Sequence, residues 1–179
     1  MGYLLAYATG RRSMSLTTRP MAAADCEAVA RIFNEGIDDR IATFETRHRE
    51  PADIASWLGT RYPVVVVTDG EAVVAFAATS TYRPRECYDG IAEFSVYVAR
   101  GERGRGAGRL AMEALIEAAE RAGFWKLLSR VFTENAASLG LLKQVAFREV
   151  GIYEKHAKLD GTWRDVVIVE RLLGTFDDD

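Results

Sequence analysis

The segment from Ile91 to Ala122 constrains the fold of this chain of 179 residues more than any other. Ile91 to Val98 reads as a strand of apolar and aromatic side chains. A glycine-rich stretch follows, Arg103-Gly104-Arg105-Gly106-Ala107-Gly108, and then Leu110, Ala114, Leu115, Ala118, Ala119 and Ala122 draw an apolar stripe at helical spacing that closes at Gly123. In a loop of this kind successive backbone N–H groups point inward, and the helix N-terminus adds its positive end, so the place suits a phosphate or pyrophosphate. The Gly-Lys-Ser/Thr of a nucleoside triphosphate loop is missing. The G-x-G-x-x-G spacing, with an acidic residue about 20 positions on, is missing as well, so dinucleotide and triphosphate readings both lose ground.

The rest of the chain places this unit in a mixed sheet. Leu16 to Arg19 is a strand candidate closed by Pro20, and Asp25 opens a helix whose Val29, Ile32, Phe33 and Ile37 share one face, with Gly36 weakening its last turn. Pro51 starts a second helix, expected over residues 51–60. Val64 to Val67, Asp69-Gly70 and Val73 to Thr79 predict an antiparallel hairpin. After the central unit come a strand from Lys126 to Phe132, Asn135 as N-cap of a helix over Ser138 to Val145, and strands Phe147 to Tyr153 and Asp165 to Arg171 joined through Asp160-Gly161. The order β-α-α-β-β-β-α-β-α-β-β predicts an α/β fold with a mixed, mostly antiparallel central sheet flanked by helices. It contains no repeat and no interdomain linker.

Composition narrows the classes of function. Apolar residues make up 49% and charged residues 27%, the profile of an ordinary globular domain rather than a disordered chain. The net charge of −3 comes from 23 Lys+Arg against 26 Asp+Glu, and Asp177, Asp178 and Asp179 account for it. A neutral body lacks the basic footprint of a nucleic-acid or anionic-membrane partner. Cys26 and Cys87 cannot build a four-cysteine zinc site, and His48 and His156 lack paired ligand spacing, so no metal is expected. Two reduced thiols, no apolar run long enough to span a bilayer, and Arg11 and Arg12 placed after the short apolar run Tyr3 to Ala8 lead to a cytoplasmic expectation. The expected organisation is a flexible arm over residues 1–13, one domain over 14–173 and an acidic tail over 174–179.

Arg103-x-x-Gly106-x-Gly108, set between a strand and a long helix, resembles the pyrophosphate-binding signature of the GNAT-type N-acetyltransferases. The resemblance extends over nearly all of residues 15–173. Ile32-Phe33-Asn34 with Ala42-Thr43-Phe44-Glu45, Glu93-Phe94-Ser95-Val96-Tyr97-Val98, and Gly161-Thr162-Trp163-Arg164-Asp165-Val166 are similar to the phosphinothricin, methionine sulfoximine and arsinothricin N-acetyltransferases within that family. The resemblance implies a GNAT fold, acetyl-CoA as co-substrate, a homodimer, and acetyl transfer to the α-amine of a small acidic amino acid analogue, a detoxifying activity.

It also implies roles. An ammonium has no lone pair, so the amine must lose a proton before attack, and Glu93, the one charge on an apolar strand, matches the family's base. The backbone of Val96, Tyr97 and Val98 corresponds to the edge along which the pantetheine arm lies. Arg103, Gly104, Arg105, Gly106, Ala107, Gly108 and Arg109 correspond to the pyrophosphate cradle, while Asn135 and Ser138 match positions near coenzyme A. Arg83 falls where the subfamily meets the substrate's anionic group, for which a guanidinium fork is suited, and Phe44 is a candidate wall of the substrate pocket. Two departures stand out: Leu142 replaces the tyrosine that many relatives use as general acid, and Ala146 replaces a glycine before Phe147. Tyr153 and His156 are the reserve acids, although a thiol with a pKa near ~8.5 can leave as the thiolate. An acetyltransferase for a polyamine, an antibiotic or a protein N-terminus, and a non-catalytic acetyl-CoA-binding module, stay open as alternatives.

Overall fold

The computed structural model describes residues 15–174, so the expected N-terminal arm and all of the acidic tail but Gly174 lie outside the described residues. The described elements follow the predicted order: β1 (Leu16–Pro20), α1 (Cys26–Asp38), α2 (Pro51–Ala55), β2 (Val64–Asp69), β3 (Ala72–Thr81), β4 (Ile91–Val98), α3 (Ala107–Arg121), β5 (Lys126–Phe132), α4 (Ala136–Gln144), β6 (Arg148–Leu159) and β7 (Thr162–Leu172). The strands form one sheet in the order β1-β2-β3-β4-β5-β7-β6. Every neighbouring pair is antiparallel except β4 and β5, which run parallel.

The run of four valines in β2 shows why this sheet is covered on both sides. Side chains alternate between faces along a strand. Val65 and Val67 enter a core built with α3, while Val64 and Val66 enter a second core built with α1 and α2. Polar alternation is absent from the sequence because neither face meets water. On the α1 side, Val29, Ile32, Phe33 and Ile37 are all buried at the predicted spacing. Phe33, Phe76 and Tyr97 pack together there, with ring centroids 4.8 to 6.3 Å apart. Gly36 has a packing reason: a Cβ at this position would come within 2.5 Å of the Tyr97 ring. The entry to α1 is fixed by buried Asp25, which takes two bonds from the Arg19 guanidinium at 2.6 and 2.8 Å and one from the Ala22 N–H at 2.8 Å.

Most boundaries lie within two residues of the sequence reading, α4 starting at Ala136 instead of Ser138, and the larger differences are in α2 and the last hairpin. The helix expected over residues 51–60 ends at Ala55, after which Trp57 and Leu58 bond back only three residues and Gly59 takes φ of +72°, so the segment turns instead of continuing. The last hairpin is longer than expected. Its register shifts between Tyr153 and Ala157, where Lys155 has φ of +48°, and this irregularity breaks the apolar alternation by which a strand is read. No described helix is long and apolar enough to cross a membrane.

Candidate active site

The parallel pair at the centre of the sheet is short. Ile91, Ala92 and Glu93 of β4 face Lys126, Leu127 and Leu128 of β5, and beyond them the ladder stops. β4 continues to Val98 on its other partner, β3, while β5 continues to Phe132 paired with β7. The two strands therefore part in the middle of the sheet and leave the facing edge of β4 without a strand partner. Edge N–H and C=O groups of this kind are ready to pair with an extended ligand. The β4 side chains do not compete for that role: Val96 and Val98 pack toward the α3 core, and Tyr97 is buried on the opposite face. Burial pushes the Tyr97 phenol up to about 12, only partly offset by its hydrogen bond with Thr43, which removes it from proton transfer near neutrality.

At the far end of β4 the chain turns through Gly104, with φ of +77°, and Gly106, with φ of +86°, into α3. A Cβ at either glycine would meet nothing within 4 Å. The dihedral angle, not crowding, requires these two glycines, and the space above them is open. Gly108 differs, with an ordinary φ but a Cβ that would lie 3.2 Å from Leu141 and 3.3 Å from Val98, a tight approach where α3 seats against β4 and α4. Gly106 offers no side chain to cap α3, and no acidic residue stands in the first turn. Uncapped N–H groups with the positive end of a 15-residue helix behind them favour an anion. An open strand edge leading to such a turn fits an extended thiol ester carrying a pyrophosphate.

The arginines of this turn are engaged in holding it. Arg103 donates to Asp39 at 2.6 Å and to the Val98 carbonyl at 3.3 Å, and Arg100 donates to Asp39 at 2.7 Å. Arg105 bridges Asp69 and Glu102, and Arg109 pairs with Glu113. Side-chain charge expected to reach a pyrophosphate from Arg103 and Arg105 is thus committed to carboxylates, and the backbone is what the loop presents. Burial alone would raise Asp39, but the Arg103 and Arg100 guanidiniums outweigh it and hold the carboxyl below its ordinary value.

Glu93 sits at the last paired position before the strands part. It is not alone, as its strand suggested: Arg130 of β5 donates to its carboxylate. The signal that singles out Glu93, one charge inside an apolar stretch, is equally present at Arg130 in Leu127-Leu128-Ser129-Arg130-Val131-Phe132. Asn135 caps α4, accepting from the Ser138 N–H at 3.1 Å, and its amide donates to the Ile41 carbonyl at 3.1 Å. It thereby ties α4 to the segment that carries Phe44. Phe44 packs edge-on against Phe132 at 4.7 Å, with His156 at 6.2 Å, in a small cluster that includes Leu159 and Val166. Arg83 lies in the exposed turn after β3, its guanidinium 5.2 Å from the Tyr82 ring, and among the described residues it has no carboxylate partner. Leu142 is 2% exposed, in the α3 core, so the position that bears a tyrosine in relatives does not face the cleft here. Of the reserve acids, Tyr153 and His156 are both exposed on β6, their rings 5.3 Å apart.

Comparison with known proteins gives the family. The model of the Acetyltransferase (GNAT) family matches residues 29–147. The chain belongs to the GNAT acetyltransferase family. This GNAT chain is 30% identical over 162 residues to the L-methionine sulfoximine/L-methionine sulfone acetyltransferase of Pseudomonas aeruginosa, covering 88% of this chain and 94% of that protein. It is also 30% identical over 162 residues to the phosphinothricin N-acetyltransferase of Streptomyces coelicolor, covering 87% and 95%. The solved structure of a GNAT superfamily phosphinothricin acetyltransferase from Sinorhizobium meliloti in complex with acetyl-CoA superposes with a TM-score of 0.83 at 27% identity, over 90% of each chain.

Proposed function

We propose that this GNAT acetyltransferase moves the acetyl group of acetyl-CoA to the α-amine of a small acidic amino acid analogue of the phosphinothricin, methionine sulfoximine or arsinothricin type. The observation that carries the reading is the place of Glu93: a carboxylate at the point where β4 and β5 part, one end of an open strand edge whose other end is the glycine turn. The similarity to proteins that acetylate L-methionine sulfoximine and phosphinothricin supports the substrate class.

In this reading the glycine turn and the α3 N-terminus hold the pyrophosphate, and the free edge of Val96 to Val98 aligns the pantetheine arm so that the thioester carbonyl comes to rest near Glu93. Glu93 takes a proton from the substrate ammonium. The freed nitrogen lone pair attacks the carbonyl carbon, the C–N bond forms and the C–S bond breaks. The departing thiolate takes up the second proton lost from nitrogen, so no tyrosine is required and buried Leu142 is no obstacle. In this reading Arg83, which like Arg85 of the same loop has no carboxylate partner among the described residues, meets the anionic far end of the substrate. We further infer a cytoplasmic homodimer; the exposed apolar side chains Val150, Ile152, Tyr153 and Trp163 of the β6–β7 hairpin support the dimer, and light scattering of the purified protein checks it.

The test is thiol release from acetyl-CoA with purified protein against phosphinothricin, methionine sulfoximine, methionine sulfone, arsinothricin, a polyamine and an N-terminal peptide. Turnover of the first four and not the last two is expected. Glu93→Gln should lower kcat by roughly 10²- to 10⁴-fold at saturating substrates. A wild-type kcat in that variant removes Glu93 as base, and absence of turnover with every amine leaves a binding module.

A further inference from the structure

The partner of Glu93 has a use beyond neutralising it. Glu93 faces Leu128 across the parallel ladder, and Arg130 lies two residues further on, so strand alternation puts all three on the sheet face that α1 covers. Tyr97, four residues beyond Glu93, is buried on this face, and Phe132, two residues beyond Arg130, meets Phe44 there. The ion pair thus lies at the mouth of the gap between β4 and β5, with Tyr97 further along one wall and Phe132 further along the other. It is not sealed: the Arg130 side chain is 39% exposed and that of Glu93 is 22% exposed. Only one nitrogen of Arg130, Nη2, bonds to Glu93; its Nε and Nη1 have no acceptor among the described residues.

An α-amino acid carries its ammonium and its carboxylate on one carbon. A carboxylate beside a guanidinium presents the opposite charges at matching separation. We propose that Arg130 is a specificity residue that binds the α-carboxylate of the substrate while Glu93 receives the neighbouring ammonium, so that the pair selects α-amino acids over simple amines. This rests on the proposed function and deepens it. Arg83 would then meet the far anionic end and Arg130 the near one. When the substrate carboxylate takes the guanidinium, the Glu93 oxygen it held is released toward the ammonium, with all charges still paired and none left bare in the gap.

The test compares methionine sulfone with the corresponding propylamine, in which hydrogen replaces the α-carboxylate, by thiol release with the wild type, Arg130→Gln and Arg130→Lys. Any loss that comes from leaving Glu93 unpaired falls on both amines and cancels in the ratio of their kcat/KM values. The expected result is a wild-type ratio well above one that falls about tenfold to a hundredfold in Arg130→Gln, carried by KM for the acid, and partly returns in Arg130→Lys. A ratio that stays at its wild-type value in Arg130→Gln overturns the inference even if both rates drop, because a merely structural ion pair would do that. A wild-type ratio near one overturns it as well. If the wild type turns over no α-amino acid at all, the proposed function falls and this inference with it; turnover of the acid with an unchanged ratio removes only the inference. Thermal melting of both variants confirms that they fold.

Discussion

The four glycines Gly101, Gly104, Gly106 and Gly108 lie within eight residues of one another, yet the structure assigns them three different demands, and alanine substitution separates these. Gly101 has an ordinary φ and open surroundings, so an added methyl restricts only the unfolded chain, worth about 0.4–1 kcal/mol of stabilisation. Gly104 and Gly106 have φ of +77° and +86° with equally open surroundings. There an alanine carries the left-handed cost of about 1–2 kcal/mol, less the same unfolded-state gain, for a net loss of up to about 1.6 kcal/mol. In a domain of this size that lowers Tm by up to about 6 °C, whereas Gly101→Ala raises it by about 1–4 °C. Gly108 has an ordinary φ inside α3, where alanine is the better helix former by about 1 kcal/mol. Its methyl must displace side-chain carbons of Leu141 and Val98 that stand 3.2 and 3.3 Å away, so its Tm should move little.

Function should follow a different order from stability. If the turn relaxes to escape the strain, the N–H groups ahead of α3 rotate away from the pyrophosphate, and KM for acetyl-CoA rises about threefold to tenfold in Gly104→Ala and Gly106→Ala, with a larger effect in the double variant. Gly101→Ala should leave it unchanged. The assay is initial-rate kinetics with acetyl-CoA varied at saturating amine, alongside thermal unfolding of each variant. Equal effects of Gly101→Ala and Gly106→Ala on KM would refute the argument, as would a rise in Tm for both left-handed positions.

Ala146 occupies φ of +61°, so Ala146→Gly relieves a left-handed alanine at some cost in unfolded-state entropy; Tm should rise by up to about 6 °C in a thermal melt. Asp25 is held below its ordinary carboxylate value mainly by its hydrogen bonds from Arg19. Its contribution to stability is therefore complete above the unfolded-state pKa near ~3.9 and is lost as pH falls through the lower folded value, and Asp25→Asn should flatten the decline of chemical-denaturation stability below about pH 4. The same variant should cost about 1–3 kcal/mol at neutral pH. Asn135→Ala removes the α4 cap, about 1 kcal/mol, and also the bond to Ile41, so KM for the amine should rise along with the loss in Tm.

The fold was largely legible because its central unit is written in several independent signals at once. The apolar stripe of α3, the left-handed glycine that ends it, the Asp69-Gly70 turn and the Asn135 cap each rest on local physics, and each element stands where those signals place it. The boundaries that moved are those where tertiary contacts override local pattern. Pro51 begins α2 as expected, but no sequence rule ends it at Ala55. The β6–β7 hairpin is hidden by its own irregularity at Lys155, since a bulge erases the alternation that marks a strand.

The site was legible in its components and not in their pairing. Glu93, Gly104 and Gly106 could be picked out because each breaks a local expectation: a charge in an apolar strand, or a glycine where the chain must turn into a helix. Which carboxylate meets which guanidinium depends on the lateral order of the strands and on the end of a helix far away in sequence. Asp39 illustrates this. It closes α1, follows no motif, and becomes the acceptor for Arg100 and Arg103 only once α1 is laid across β4. Arg130 reaches Glu93 only because the one parallel pair in the sheet brings β5 alongside β4 for three residues and then lets it go. The same divergence that opens the edge of β4 is what places a guanidinium beside Glu93, so the opening for the cofactor and the charge pattern facing the substrate share a single structural cause.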